Sequence, residues 1–296
     1  MATAAARSTR LSVKNILFTT DFSAASQGAL PYALAFARWY GAKLFVAHAI
    51  PPEPQLSVPL EVISREDDPY WSYARHKMDQ LLEPKPFGTT PYEVLMLQGD
   101  MWHVLSNIIQ RQDIDFLTLG THGRHGLKKI VLGSAAEQIF RLAACPVLTV
   151  GPKASRTDVE FGNFKHILFA TDFSPASLKA LPYALSIAEE NQAELTLLHL
   201  ISLVPMQHQE AVANHAKRRL EELLPPDAGS WCEPNIVVLL EFATDGILRV
   251  AEQTKADLIV MGVHKSAAAR AVSHVPWAIA YDVVCDAHCP VLTVRG

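Results

Sequence analysis

Short apolar runs alternate with longer amphipathic stretches along the whole chain. In the first half the runs are "NILFTT", "KLFVAHAI", "YEVLML", "DFLTLG" and "PVLTV". Helical patterns separate them, and we predict helices at residues 24–40, about 71–82, about 101–112 and 134–143. Runs of continuous Val, Ile and Leu are typical of parallel strands that are covered on both faces. Each half is therefore predicted to be an α/β domain with a doubly wound, parallel, five-stranded sheet of the flavodoxin or Rossmann type.

An internal repeat divides the chain. The stretch "KNILFTTDFSAASQGALPYALAFARWYGAKLFVAHAI" at 14–50 aligns without gaps to "KHILFATDFSPASLKALPYALSIAEENQAELTLLHLI" at 165–201, with 21 of 37 positions identical. "DFLTLGTHG" at 115–123 has the counterpart "DLIVMGVHK" at 257–265, and "CPVLTV" ends both copies. The repeat predicts the following segments: an N-terminal tail at 1–13, a first domain at 14–151, a linker at 152–163 and a second domain at 164–296.

Composition excludes several classes of protein. The chain has 296 residues, of which 49% are hydrophobic and 19% charged, as expected for about two globular domains. A net charge of -4 argues against nucleic-acid binding through bulk electrostatics. No apolar run approaches the roughly 20 residues of a membrane span, and no secretory signal is visible. Four cysteines without a recognisable disulfide framework suit a reducing compartment, so a cytoplasmic protein is expected.

The segment "GTHGRHGLKKIVLGS", residues 120–134, combines glycines with cationic side chains and contains no acid. Glycines let backbone amides approach an anion closely, and a helix N-terminus binds phosphate. The spacing fits neither the P-loop nor the Rossmann fingerprint. Instead, G-x2-G-x9-G-S, with "TTDFS" after the first strand and "CPVLTV" at the end, closely resembles the universal stress protein family. The resemblance covers nearly the whole chain twice, as in a tandem member.

The resemblance implies a nucleotide site in the first domain. In ATP-binding members the glycine motif holds the ribose and phosphates, the first-strand Asp lies by the nucleoside, and backbone after the second strand meets the adenine. Carried over, these roles fall on Asp21, Ala49, Gly120, Gly123, Gly133 and Ser134. The implied ligand is ATP, with or without Mg²⁺, in a regulatory or stress-response protein.

An ATP hydrolase or phosphoryl-transfer enzyme that uses the same site is the alternative function. Catalysis needs a positioned base and a metal scaffold. The only obvious carboxylate near the motif is Asp21, and no catalytic loop is visible. No catalytic residue is therefore assigned, and any hydrolysis should be slow.

Two of the site residues also have a structural interpretation. Ser134 opens "SAAE", which is a capping box, and capping can coexist with phosphate contact. For Asp21 the second repeat is informative, because Pro175 favours the first helical position and so makes Ser174 the N-cap. The alignment then predicts Ser23 as the first N-cap. Asp21 is left without a capping role, which favours a ligand-facing one.

Histidines and cysteines invite a metal interpretation that the repeat does not favour. "CDAHC" at 285–289 has two thiols and an imidazole, and His264 or His274 could join them. However, Cys145 aligns with Cys289, and His48 aligns with His199 inside the second strand. Recurrence at packing positions favours buried structural residues, and no metal site is predicted.

The second copy of the nucleotide motif is interrupted. Gly262 remains, but Lys265 stands at the position of Gly123, and "SHVPWA" at 273–278 replaces the Gly-Ser pair. A side chain then intrudes where backbone must approach, and Pro276 removes an amide donor. "QGD" at 98–100 has also become "LEF" at 240–242. We predict that the second domain binds no ATP in the family manner and is a structural partner.

The repeated "CPVLTV" bears on assembly. If the strand order is flavodoxin-like, this short apolar strand at the end of each domain lies on a sheet edge, and proteins cover or pair exposed apolar edges. Single-domain members of the family commonly dimerise through this strand. The resemblance thus implies an intramolecular pseudo-dimer that pairs Val147 to Val150 with Val291 to Val294, and a homodimer of whole chains stays open.

Overall fold

The computed structural model describes residues 11–51, 68–83, 85–121, 138–139, 142–154, 163–202, 204–263 and 276–296. They form two compact units. One contains the described residues of 13–152, and the other contains those of 163–296 together with 11–12 and 153–154. We call these units the first half and the second half. The domain boundaries and the pairing of terminal strands that the sequence suggests stay predictions.

The first half has the predicted alternation of strands and helices. Its described elements are β1 (Asn15–Thr19), α1 (Ala24–Tyr40), β2 (Lys43–Ile50), α2 (Pro69–Leu82), β3 (Tyr92–Gln98), α3 (Met101–Arg111), β4 (Phe116–Gly120) and β5 (Val147–Val150). Gln138, Ile139 and Leu142 are also helical, within the helix predicted at 134–143. Residues 134–137 lie outside the described part of the chain.

The second half repeats this order of elements. Its described elements are β6 (His166–Ala170), α4 (Pro175–Asn191), β7 (Glu194–Leu200), α5 (Gln209–Leu223), β8 (Pro234–Leu239), α6 (Ala243–Gln253), β9 (Leu258–Val263), α7 (Pro276–Asp286) and β10 (Val291–Arg295). None of the helices among the described residues is long and apolar enough to cross a membrane.

All described strand pairs within each half are parallel. The first half has the order β3-β2-β1-β4-β5, and the second half has the equivalent order β8-β7-β6-β9-β10. This is the Rossmann-type order and not the flavodoxin order, which the sequence had left open. The order reverses between β1 and β4 in the first half, and between β6 and β9 in the second. Ligands of such sheets bind beyond the carboxyl ends of the strands at this reversal.

Both faces of the first sheet are covered. On one face Leu17, Phe45 and Leu117 share a buried cluster with Val104 and Leu105 of α3. On the other face the ring of Phe36 in α1 stacks on Phe116 of β4, with ring centroids 4.7 Å apart. Burial on both faces explains why the strands read as continuous apolar runs, and it confirms the doubly wound arrangement predicted from them.

Serine caps begin the first helix of each half, as predicted. Ser23 accepts a hydrogen bond from the backbone N–H of Ser26, and Ser174 accepts one from Ser177. Both caps have extended backbone, which is typical of an N-cap. The chain therefore leaves β1 and β6 and enters a helix within a few residues, which fixes the loop at the carboxyl edge of each sheet.

Candidate functional site

Asp21 and Gly120 lie at the same edge of the first sheet. Asp21 is two residues beyond the last residue of β1, and Gly120 ends β4, its neighbour across the reversal of strand order. The side chain of Asp21 is exposed. The other motif residues, Gly123, Gly133 and Ser134, lie outside the described residues. The structure thus brings two of the predicted site residues to the edge at which ligands of this fold bind.

Asp21 does have a structural role, contrary to the expectation from the sequence. Its Oδ1 accepts hydrogen bonds from the backbone N–H of Ser23, at 3.0 Å, and from the Ser23 hydroxyl. In the second half Asp172 Oδ1 accepts from the Ser174 N–H at 2.9 Å. Each aspartate therefore holds the serine that caps the next helix. The presence of Asp21 alone does not indicate a ligand, because a local hydrogen bond explains it in both copies.

Ala49 lies inside β2 and not after it, since β2 continues to Ile50. The Thr20 N–H donates to the carbonyl of Ala47 at 3.0 Å, so the backbone groups of Ala47 point toward β1. Successive residues of a strand direct their backbone N–H and C=O to opposite sides, so residues that are two apart, such as Ala47 and Ala49, direct them to the same side. Ala49 thus directs its N–H and C=O to the side of β1, beyond the point where β1 ends. These backbone groups face the edge shared by Asp21 and Gly120.

Gly120 has no space for a side chain. A Cβ at this position would lie 2.0 Å from the carbonyl oxygen of Ala25 and 2.8 Å from Cα of Ser26, in the first turn of α1. In the second half a Cβ on Gly262 would lie 2.3 Å from the backbone nitrogen of Ser177. Close packing of helix on strand therefore requires glycine in both copies. Only its combination with Gly123, Gly133 and Ser134 is specific to the first half.

His48 anchors the loop that carries Asp21. Its Nδ1 lies 2.8 Å from the carbonyl oxygen of Thr20, and the Phe22 ring lies 4.3 Å from the imidazole. A carbonyl only accepts, so Nδ1 carries the proton in this bond. Burial lowers the pKa of His48 below its ordinary value, although the Thr20 carbonyl and the Asp21 carboxylate act in the opposite direction. The imidazole is half-buried and serves as a neutral donor to the backbone, which is a structural role.

Cys285 and Cys289, which suggested a metal site, are buried, and so is Cys145, which aligns with Cys289. Burial raises the pKa values of the Cys145 and Cys289 thiols to about 12, so these sulfurs stay protonated at neutral pH. Within the described part of the chain, no group of three or more His, Cys, Asp or Glu residues could hold a metal ion. His264 and His274 lie outside that part.

These features define a class of protein, namely a doubly wound α/β fold present twice in one chain, with a capped loop at each reversal of strand order and a glycine-rich segment after β4 in the first half. The universal stress protein family model matches residues 12–151 and again 163–295. The chain belongs to the universal stress protein family, as a tandem member with two copies of the domain.

Single-domain relatives correspond to about half of this chain. Universal stress protein A homolog 1 of Coxiella burnetii is 32% identical over 145 residues, which are 47% of this chain and 97% of the relative. A universal stress protein of Methanocaldococcus jannaschii is 28% identical over 141 residues, 46% of this chain and 81% of the relative. The crystal structure of a universal stress protein from Archaeoglobus fulgidus has 19% identity and a TM-score of 0.69, and the match covers 98% of this chain and 99% of that one. At this identity the structural match shows the fold alone.

Proposed function

We propose that the first half binds ATP and that the bound nucleotide has a regulatory, stress-response role, with the second half as a structural partner. One observation carries the proposal. Asp21, the backbone of Ala49 and Gly120 meet at the reversal of strand order, directly before the glycine-rich segment 120–134. This is the edge at which nucleotides bind in Rossmann-type sheets.

The chemistry of these groups suits an adenine nucleoside. The N–H and C=O of Ala49 offer one donor and one acceptor on the same side of β2, which complements the acceptor and donor on the edge of an adenine ring. The exposed carboxylate of Asp21 can accept hydrogen bonds from the nucleoside while it holds Ser23. The carboxylate repels phosphates, so they belong at the other end of the site, near the cationic and glycine-rich segment 120–134.

The phosphates in this proposal contact Gly123, Gly133 and Ser134. The sequence around Ser134 predicts the start of a helix, whose first N–H groups lack partners within the helix and attract anions. Mg²⁺, where present, would be held chiefly by the phosphates, as is usual for this ion. The hydrolase alternative gains no support from Asp21, because its hydrogen bonds with Ser23 explain its presence without a catalytic role.

The proposal predicts about one ATP per chain. Isothermal titration of the full-length protein with ATP measures the stoichiometry directly, and mass spectrometry of nucleotide released on denaturation identifies what co-purifies. A stoichiometry near two would show that the second half also binds ATP despite Lys265 and the "SHVPWA" segment. No heat of binding after removal of any co-purified nucleotide would overturn the proposal.

Asp21→Ala and Asp172→Ala form a matched pair of variants. Each removes the acceptor for a capping serine, so each should cost about 1 kcal/mol of stability in its own half, measured by denaturant unfolding. Only Asp21→Ala should weaken ATP binding, by about tenfold, because only the first half carries the intact motif. Equal ATP affinities in the two variants would show that Asp21 has a structural role alone.

A further inference from the structure

A pocket of about 90 Å³ lies at the reversal of strand order in the second half. Its wall is formed by the ends of β6, β7 and β9, by the loop after β6, and by residues of α4, α6 and α7. Most of that wall is apolar, and its large apolar side chains are those of Leu198, Leu200, Ile247, Met261 and Ile279. The pocket thus has the location of a ligand site but not the polar lining that a nucleotide needs.

The polar groups in the wall hydrogen-bond to one another. The Thr171 hydroxyl lies 2.9 Å from the Ser177 hydroxyl and accepts from the Phe173 N–H at 3.0 Å. The Ser177 hydroxyl donates to the Ser174 carbonyl at 3.0 Å, and the Ser177 N–H donates to the Ser174 hydroxyl at 3.2 Å. These groups are engaged within the loop that caps α4. In addition, Asp172 is one of the lining residues, and its negative charge disfavours an anion in the pocket.

Two equivalent positions next to this pocket carry different residues in the two halves. Leu200 stands at the position of Ala49, and Gly246 stands at the position of Val104. A Cβ on Gly246 would lie 2.4 Å from Cδ2 of Leu200, so the glycine makes room for the leucine. Glycine inside a helix is destabilising relative to alanine. The second half therefore keeps a helix-destabilising residue together with a large apolar side chain in the pocket wall.

Helix α6, beside the pocket, also begins with a residue that is unfavourable for a helix. In the first half Asp100 caps α3 by accepting from the His103 N–H at 3.1 Å. Phe242 occupies the equivalent position before α6, makes no side-chain capping bond and is 64% exposed. Loss of such a cap destabilises a helix. Phe242 directly precedes Ala243, which lines the pocket.

We propose that this pocket is a binding site for a small, uncharged, largely apolar molecule, with about the size of one aromatic ring. An apolar cavity of about 150 Å³ holds benzene, so a smaller pocket that is open to solvent can hold one ring in part. The satisfied hydroxyls offer little to a polyanion, and Asp172 selects against negative charge. The second half would then bind a different class of ligand from the one proposed for the first, at the equivalent edge of its sheet.

Methyl-labelled NMR of the full-length protein tests this inference with two probes of equal size, benzyl alcohol and benzoate. Benzyl alcohol should give saturable shifts of the methyl signals of Ile247, Ile279 and Met261. Benzoate should bind at least about tenfold more weakly, because it is an anion facing Asp172. No saturable shift with benzyl alcohol, or equal affinities for the two probes, would overturn the proposal.

Two neighbouring substitutions locate the site. Ala243→Leu places a larger side chain in the pocket and should weaken benzyl alcohol binding about tenfold or more. Thr244→Leu adds an apolar side chain to the next residue, which does not line the pocket, and should leave the affinity unchanged. Both positions are half-buried in the first turn of α6, so a core rearrangement is not expected. Equal effects of the two variants would place the bound probe elsewhere.

Discussion

The Gly133→Val protein should fold normally and lose ATP binding by about a hundredfold or more. In the proposed site the phosphate approaches backbone at the Gly133–Ser134 step, and a β-branched side chain blocks that approach. Calorimetric titration with ATP measures the loss, and circular dichroism checks the fold. The expected effect is large because the valine side chain fills the space of the phosphate and also prevents its hydrogen bonds with the backbone amides.

A matched control for this variant is Gly229→Val. Gly229 is exposed in the second half, and a Cβ there meets no atom within 4 Å. The same change of residue type should therefore leave ATP affinity unchanged. An unaltered affinity in a correctly folded Gly133→Val protein would contradict the assignment of the phosphates to this step.

The elements and caps could be predicted from the sequence because their causes are local and appear twice. Continuous apolar runs mark the strands, and the helical stretches between them lie within a few residues of the observed bounds. Pro175 identified Ser174 as a cap, and the gapless alignment carried the same role to Ser23. Two copies of one pattern supply a check that a single copy does not.

The roles of Asp21 and Gly120 could not be predicted in full, because they depend on three-dimensional contacts that the amino-acid sequence does not show. The hydrogen bonds from Ser23 to Asp21 follow from the turn that β1 makes into α1. The contact of Gly120 with α1 joins residues far apart in the chain. The sequence placed both residues at the correct edge of the sheet but assigned them to a ligand alone.

The sequence also did not predict the paired difference between the halves, in which Ala49 and Val104 of the first half correspond to Leu200 and Gly246 of the second. Each substitution by itself looks unremarkable, since one lies in a strand and the other in a helix. The two matter together because the Leu200 side chain occupies the space that a side chain on Gly246 would need. An alignment of the halves shows both changes, but only the packing shows that one compensates for the other.

Gly120→Ala should destabilise the first half by about 2–3 kcal/mol, which is the usual upper range for overpacking. The added Cβ would meet backbone atoms of Ala25 and Ser26, and backbone gives way less easily than the end of a flexible side chain. Helix α1 would have to move away from β4 to relieve the contact. Gly262→Ala should have the same effect on the second half, where the added Cβ would meet backbone atoms of Ala176 and Ser177.

Denaturant unfolding of the full-length variants, with Gly229→Ala as the control in open space, measures these losses. The control should change stability by less than about 0.5 kcal/mol. Since the two halves are separate compact units, each variant should shift the transition of its own half. Wild-type stability of Gly120→Ala would contradict the packing role. An equal loss of stability in Gly120→Ala and Gly262→Ala would show that packing requires glycine at this position in both halves. A loss of ATP affinity in folded Gly120→Ala alone would show that nucleotide binding requires it in the first half.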